Sequence, residues 1–227
     1  MTQITQVGLT RRSSLAGVLL TLCASTGRAW AGSYEDFFSA IKRDDYRTVN
    51  VLLRRGFDPN TLDSQGLHGL FLALKEPSPN VAAVLIDWPK TEVETRTAQD
   101  ESPLMIAALT GQYDLAVRLI DHGADVNKPG WTPLHYAATQ SRLNLIQLLL
   151  EHYAYIDAES PNGTTPLMMA ARYGSDETVH LLLDEGADPT LRNKLKLSAI
   201  DFAQQISRPA TAEIIAAAIR SRNGARW

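Results

Sequence analysis

The sequence predicts an all-α protein, a solenoid of about six helix-turn-helix units with short hairpin-like loops between them. Three recurrences carry that reading. An alanine returns at Ala40, Ala73, Ala107, Ala137, Ala170 and Ala203, at spacings of 33, 34, 30, 33 and 33 residues. An apolar pair follows each one, at Leu52-Leu53, Leu85-Ile86, Leu119-Ile120, Leu149-Leu150, Leu182-Leu183 and Ile214-Ile215. A turn then closes several units, at Gly56-Phe57-Asp58, Gly123-Ala124-Asp125 and Gly186-Ala187-Asp188. Glycine ends a helix there in a left-handed conformation without steric cost. A period near 33 marks a repeat architecture, in which one helical pair cannot bury its apolar face and stacked neighbours can.

The best-formed unit opens with Gly130-Trp131-Thr132-Pro133-Leu134-His135-Tyr136-Ala137-Ala138. Thr132 supplies a hydroxyl where a helix begins, and Pro133 takes the first helical position, where no amide hydrogen is needed. Leu134, Ala137 and Ala138 fall on one helix face, and the small alanines let a second helix come close. Most of the pattern returns at Ser102-Pro103-Leu104-Met105-Ile106-Ala107-Ala108 and at Thr165-Pro166-Leu167-Met168-Met169-Ala170-Ala171. On these residues the chain, from 33 to about 220, resembles ankyrin-repeat proteins. Their units read G-x-T-P-L-H-x-A-A and end in L-L-x-x-G-A-D. The resemblance implies a helical stack with hairpins along one edge and a structural imidazole at His135 bonding backbone across the turn.

Taken in order, residues 1–31 stand apart. They hold Arg11, Arg12 and Arg28 but no acidic residue, then a modest apolar run from Leu15 to Ala24, then Ala29-Trp30-Ala31 in the spacing a signal peptidase reads. The run is too short for a membrane anchor. Thr10-Arg11-Arg12-Ser13-Ser14-Leu15 resembles a twin-arginine signal with Ser14 in place of the usual Phe, and Sec export fits nearly as well. An organelle transit peptide and a disordered tail are the other readings. Residues before Cys23 lack the small side chains of a lipid-anchor site. The expectation is a periplasmic protein without a membrane anchor after cleavage.

The unit at 33–62 is an N-terminal cap, with Tyr34-Glu35-Asp36-Phe37-Phe38 in place of T-P-L-H. The unit at 63–96 is degenerate: Gly66-Leu67-His68-Gly69-Leu70-Phe71 loses both Thr and Pro, and Pro77, Pro79 and Pro89 crowd its turn and exit. Its second helix should be short, from about Asn80 to Asp87. The unit at 97–126 is regular, with Asp100 where Gly is usual. The next, 127–157, begins on a shortened hairpin at Lys128-Pro129 and places Tyr153 at the Gly cap, which strains the backbone if φ stays positive. The unit at 158–190 follows the pattern closely. The last, 191–220, is a cap with an alanine-rich second helix from near Pro209 to Arg220, and 221–227 is a basic tail.

The chain carries a net charge of −3, and without residues 1–31 it keeps 19 basic against 25 acidic residues, a net of −6. That is no electrostatic footprint for nucleic acid. The acid is uneven: 9 basic and 15 acidic residues lie in 32–127, and 10 of each in 128–227. Cys23 is the only cysteine, so beyond it no thiol is left for disulfides, catalysis or metal. His122, His152 and His180 fall near the ends of second helices, on solvated positions. Asp58, Asp125 and Asp188 recur once per turn, as expected for side chains that bond their own backbone. No catalytic, cofactor or metal residues are expected. Asn162-Gly163-Thr164 is a glycosylation sequon at a hairpin tip.

What remains is surface. Two sets of positions should escape the stack: the residue before T-P, at Tyr34, Leu67, Glu101, Trp131, Thr164 and Leu197, and the pair after A-A. That pair is Ile41-Lys42, Leu74-Lys75, Leu109-Thr110, Thr139-Gln140, Arg172-Tyr173 and Gln204-Gln205. Among them Tyr34, Leu67, Glu101, Trp131, Arg172 and Tyr173 are the candidate contacts, rich in side chains that dominate interfaces. The reading is a monomeric, non-catalytic module that binds a periplasmic partner protein through its concave hairpin and first-helix surface. An immunity-type inhibitor of a toxin or enzyme is the alternative, and a metal-dependent or enzymatic protein built on the irregular second unit the remote one. Bacterial ankyrin proteins similar to this one include immunity proteins and small periplasmic members linked to peroxide protection.

Overall fold

The computed structural model describes residues 32–76 and 78–224. Residues 1–31, where an export signal is expected, Pro77 and the tail at 225–227 lie outside the described residues. Among the described residues there are twelve helices and no strand, only an isolated antiparallel bridge between Leu62 and His68. They pair in order: α1 (32–42) with α2 (Tyr46–Arg54), α3 (Gly69–Lys75) with α4 (Pro79–Ile86), and α5 (Pro103–Thr110) with α6 (Tyr113–Asp121). Then come α7 (Pro133–Thr139) with α8 (Leu143–Glu151), α9 (Pro166–Tyr173) with α10 (Asp176–Asp184), and α11 (Ala199–Gln205) with α12 (Pro209–Gly224). The last helix runs four residues past the expected end. No helix of the described residues is long and apolar enough to cross a membrane.

The helix starts follow the expected chemistry. Ser102, Thr165 and Ser198 accept from the N–H groups of Met105, Met168 and Asp201 at 3.3, 3.4 and 3.4 Å, and proline opens α5, α7 and α9. Asp45 caps α2 through the Thr48 N–H at 3.1 Å. The degenerate second unit has a cap of another kind. His68 stands at the N-cap of α3, and its Nδ1 accepts from the Leu70 N–H at 3.1 Å. Gly69 replaces proline there because α3 rides directly over Phe37. A Cβ on Gly69 would lie 2.8 Å from the Phe37 ring and 3.2 Å from Ile41. Pro79, expected to crowd the inter-helix turn, opens α4 instead.

The odd-numbered helices form one row, α3 to α5 to α7 to α9 to α11, and the even-numbered ones a second row behind it. The first row is the closer packed, because its facing positions are alanines: Ala107, Ala108, Ala137, Ala138, Ala170, Ala171 and Ala203 are all fully buried. The stack therefore bends toward the first row and makes that side concave. Leu85, Leu119, Leu149 and Leu182 fill the space between the rows.

Polar groups join the same neighbours. At each exit turn one side chain accepts from the backbone N–H of the next unit: Asn60 from Glu92 (2.9 Å), Glu94 from Asp125 (3.0 Å), Asn127 from Tyr155 (2.8 Å) and Asp157 from Asp188 (3.0 Å). Burial raises the carboxyl pKa of both Glu94 and Asp157, and those backbone bonds oppose the rise. Within the turns, Asp58, Asp125 and Asp188 accept from the N–H two residues on, at 2.9, 2.8 and 2.8 Å, the turn role expected of them.

Tyr153 keeps φ at +63° with its side chain 85% exposed, so the glycine site is strained and nothing is gained by the ring. Replacing Tyr153 with Gly should raise stability by about 0.5–1 kcal/mol, read from urea midpoints. Leu149, at 0% exposure, should cost about 2–5 kcal/mol when cut to Ala in the same titration.

Candidate functional site

The hairpins set the edge of the concave surface. Four of them close on a side-chain acceptor: Asp63 takes the Gln65 and Leu67 N–H groups (both 2.8 Å), Thr97 those of Gln99 and Glu101, Ser160 that of Thr164, and Asn193 those of Leu195 and Leu197. The shortened hairpin that opens the fourth unit has no such acceptor and closes on a donor. Lys128 buries its ammonium and divides its three protons among Asp100 Oδ2 (2.5 Å), the Pro129 carbonyl (2.9 Å) and the Trp131 carbonyl (3.1 Å). That bond holds the Asp100 carboxyl below its ordinary pKa. In sequence Lys128 is one basic residue in a loop; only the loss of loop length before it hinted at its task.

His135 is structural, as the resemblance implied. Its Nε2 lies 2.9 Å from the Thr164 carbonyl, which can only accept, so the ring carries its proton on Nε2. Nδ1 then accepts from the Thr132 hydroxyl (2.8 Å) and N–H (3.2 Å). Burial pushes its pKa down to about 4, and does the same to His68. His122, His152 and His180 are exposed. Among the described residues no group of three or more His, Cys, Asp or Glu side chains could hold a metal ion.

The exposed ledge differs in part from the expectation. Thr164, Ile41 and Leu74 are buried, Thr164 to 1%. Thr164 is drawn in by the His135 bond, and Ile41 and Leu74 fill the gap between adjacent first helices where the alanine pattern gives way to Ala-Ile and Ala-Leu. Tyr34 and Leu67 are half-buried against the core, Tyr34 with its ring 4.8 Å from Phe38. Glu101 and Trp131 are partly buried, and Tyr173 is 57% exposed.

These residues gather in two groups. In the first, Trp131 meets the His135 ring edge-on at 5.2 Å, and Tyr136 donates its hydroxyl to Glu101 at 3.1 Å. Burial and the Glu101 carboxylate push the Tyr136 pKa up to about 12. Together Leu109, Trp131, His135, Tyr136, Thr139 and Met169 line a mostly apolar cleft of about 250 Å³. In the second, Arg172 donates to the Tyr173 hydroxyl and to Gln205, both at 2.9 Å, and lies over the rings of Tyr173 and Phe202. Tyr34 and Leu67 join neither group; they pack at the opposite end. Tyr136, Leu109 and Met169 were not among the candidate contacts. The helical spacing of 136, 139 and 169 relative to A-A was the signal that could have found them.

Comparison with known proteins agrees with this geometry. The family model described as ankyrin repeats (3 copies) matches residues 37–129 and 125–193. The chain is 32% identical over 152 residues to the mouse (Mus musculus) B-cell lymphoma 3 protein homolog, covering 64% of this chain and 34% of that protein. It is 31% identical over 188 residues to human (Homo sapiens) neurogenic locus notch homolog protein 1, covering 80% of this chain and 7% of that one. The chain thus spans about a third or less of these relatives. Among solved structures it is similar to a chain from the complex of the Bd0816 predatory endopeptidase of Bdellovibrio bacteriovorus with immunity protein Bd3460. The TM-score is 0.70 at 26% identity, covering 80% of this chain and 97% of that one.

The two buried imidazoles make stability depend on pH. Their folded pKa of about 4 lies below the usual 6.5, so the unfolded chain takes up protons first. Stability is full above pH 6.5 and falls as the pH drops from 6.5 toward 4. Between pH 7 and pH 5 each should remove about 2 kcal/mol by urea titration, and His135→Gln should remove about half of that dependence.

Proposed function

The chain belongs to the ankyrin-repeat family, and on that premise we propose that it is a non-catalytic module binding another protein through its concave hairpin and first-helix surface. Ankyrin repeats are protein-interaction modules. The observation that carries the proposal is the placement of Trp131, Tyr136 and Tyr173. Large aromatic side chains stay accessible on the first-helix and hairpin side of the stack, Trp131 and Tyr136 around a cleft and Tyr173 at 57% exposure. Side chains of these types supply most of the energy of protein interfaces, and a rigid scaffold loses little entropy in presenting them.

A second reading is favoured by one comparison. The structural neighbour is a repeat immunity protein found with an endopeptidase, and the likeness spans nearly the whole of it. On that reading this chain holds an enzyme inactive by covering it. The Arg11-Arg12 pair, apolar run and Ala29-Trp30-Ala31 site support action in the periplasm.

The test is capture of partners from a periplasmic extract of the native host by the wild-type chain and by Tyr173→Ala and Trp131→Ala variants. Each variant should retain at least tenfold less of a discrete partner. Tyr173→Ala should leave the urea midpoint unchanged, and Trp131→Ala should lower stability by about 1 kcal/mol through its lost contact with His135. Retention equal to wild type by both variants would remove the concave ledge from the interface. For the inhibitor reading, the retained partner should regain hydrolytic activity when released.

A further inference from the structure

We propose that the cleft bounded by Trp131 and Tyr136 receives a basic side chain, arginine or lysine, from the partner. The proposal rests on the concave-surface reading and names the chemistry of what that surface holds. At about 250 Å³ the cleft is smaller than the usual small-molecule site and fits one long side chain. Its walls are two aromatic rings, the buried His135 imidazole also lines it, and Leu109, Thr139 and Met169 complete a largely apolar lining. Such a lining matches the methylene stem of arginine or lysine, and the faces of Trp and Tyr attract the cation at its end.

The charges around the cleft point the same way. Glu101 stands beside it, tied to the Tyr136 hydroxyl. The three cations of the fourth and fifth units are turned to other duties. Lys128 is bound to Asp100 and two carbonyls, Arg142 directs its Nε to the Leu109 carbonyl at the inter-helix turn, and Arg172 reaches toward Gln205 and Phe202 of the last unit. Glu101 is therefore the charge left to face an incoming group. Behind it lies the acidic part of the chain, with 15 acidic against 9 basic residues in 32–127. That field speeds the approach of a basic surface, and a planar guanidinium can stack on an aromatic ring while bonding a carboxylate. A partner anchored by an aromatic side chain would use the apolar walls but make no use of the Glu101 charge beside them.

The test uses the full chain as bait for a phage-displayed library of disulfide-cyclised heptapeptides, cleared first on the Trp131→Ala variant. Enriched peptides should share an arginine or lysine. Exchanging that residue for citrulline or norleucine should weaken binding at least tenfold by calorimetry. Glu101→Gln should weaken it to a similar degree while its thermal melting stays that of wild type, and Glu35→Gln should not change it. Raising salt from 50 to 500 mM should also weaken it. Enriched peptides without a basic residue, binding indifferent to Glu101→Gln, or no enrichment at all would overturn the proposal. Partner capture that still depends on Trp131 and Tyr173 would then leave the concave-surface reading standing, so the two failures are distinguishable.

Discussion

The last carbonyls of a helix have no partner inside it, and in a helix of only seven or eight residues they are half of the whole. This stack answers that constraint by having each unit bond the carbonyls of the one before. The residue at the start of the second helix does it: Ser78 donates to the Ile41 carbonyl (2.6 Å), Gln112 to that of Leu74 (2.7 Å), Arg142 to that of Leu109 (3.4 Å) and Arg208 to those of Ala171 (3.1 Å) and Gly174 (2.6 Å). At the fourth-to-fifth junction the later unit still donates, but through backbone: the Ser175 N–H bonds the Ser141 hydroxyl at 2.6 Å. A unit removed from its neighbours would lose these donors as well as its apolar cover.

A second line of bonds, from Asn60, Glu94, Asn127 and Asp157, runs along the exit turns on the far side of the second helices. The leucines lie between these two lines, so successive units can neither slide nor rotate without breaking bonds at both. The concave ledge inherits that rigidity. Its hairpins are fixed from beneath by His135 and Lys128, and the aromatic side chains on it are held in place before any partner arrives. Pre-organisation of this kind converts contacts into affinity with little lost to ordering.

The sequence revealed most of what repeats and little of what compensates. The alanine spacing, the proline starts, the turn aspartates and the strained Tyr153 were legible because each is a backbone requirement repeated at one register. Where a unit departs from the pattern, the replacement is chosen by contacts across space. His68 works as a helix cap, Gly69 as room for Phe37, and Lys128 as the closure of a shortened hairpin, and none of these is visible along the chain. The same limit misplaced Thr164 on the surface; Ile41 and Leu74 were misplaced by register, since each follows its alanine directly and so stands at the buried second-alanine position. The cleft was only half seen, through Trp131, Leu109 and Thr139, because Tyr136 and Met169 enter it from positions inside the first helices that the exposed rows left out.

The claim under all of this is that the first-helix row is open to a partner and the second-helix row is not. A photo-crosslinking amino acid placed at Thr139 on α7, and separately at His152 behind α8, tests it in cells of the native host. The account predicts one discrete adduct from position 139 and none from 152. An adduct from 152 alone, or equal adducts from both, would contradict it.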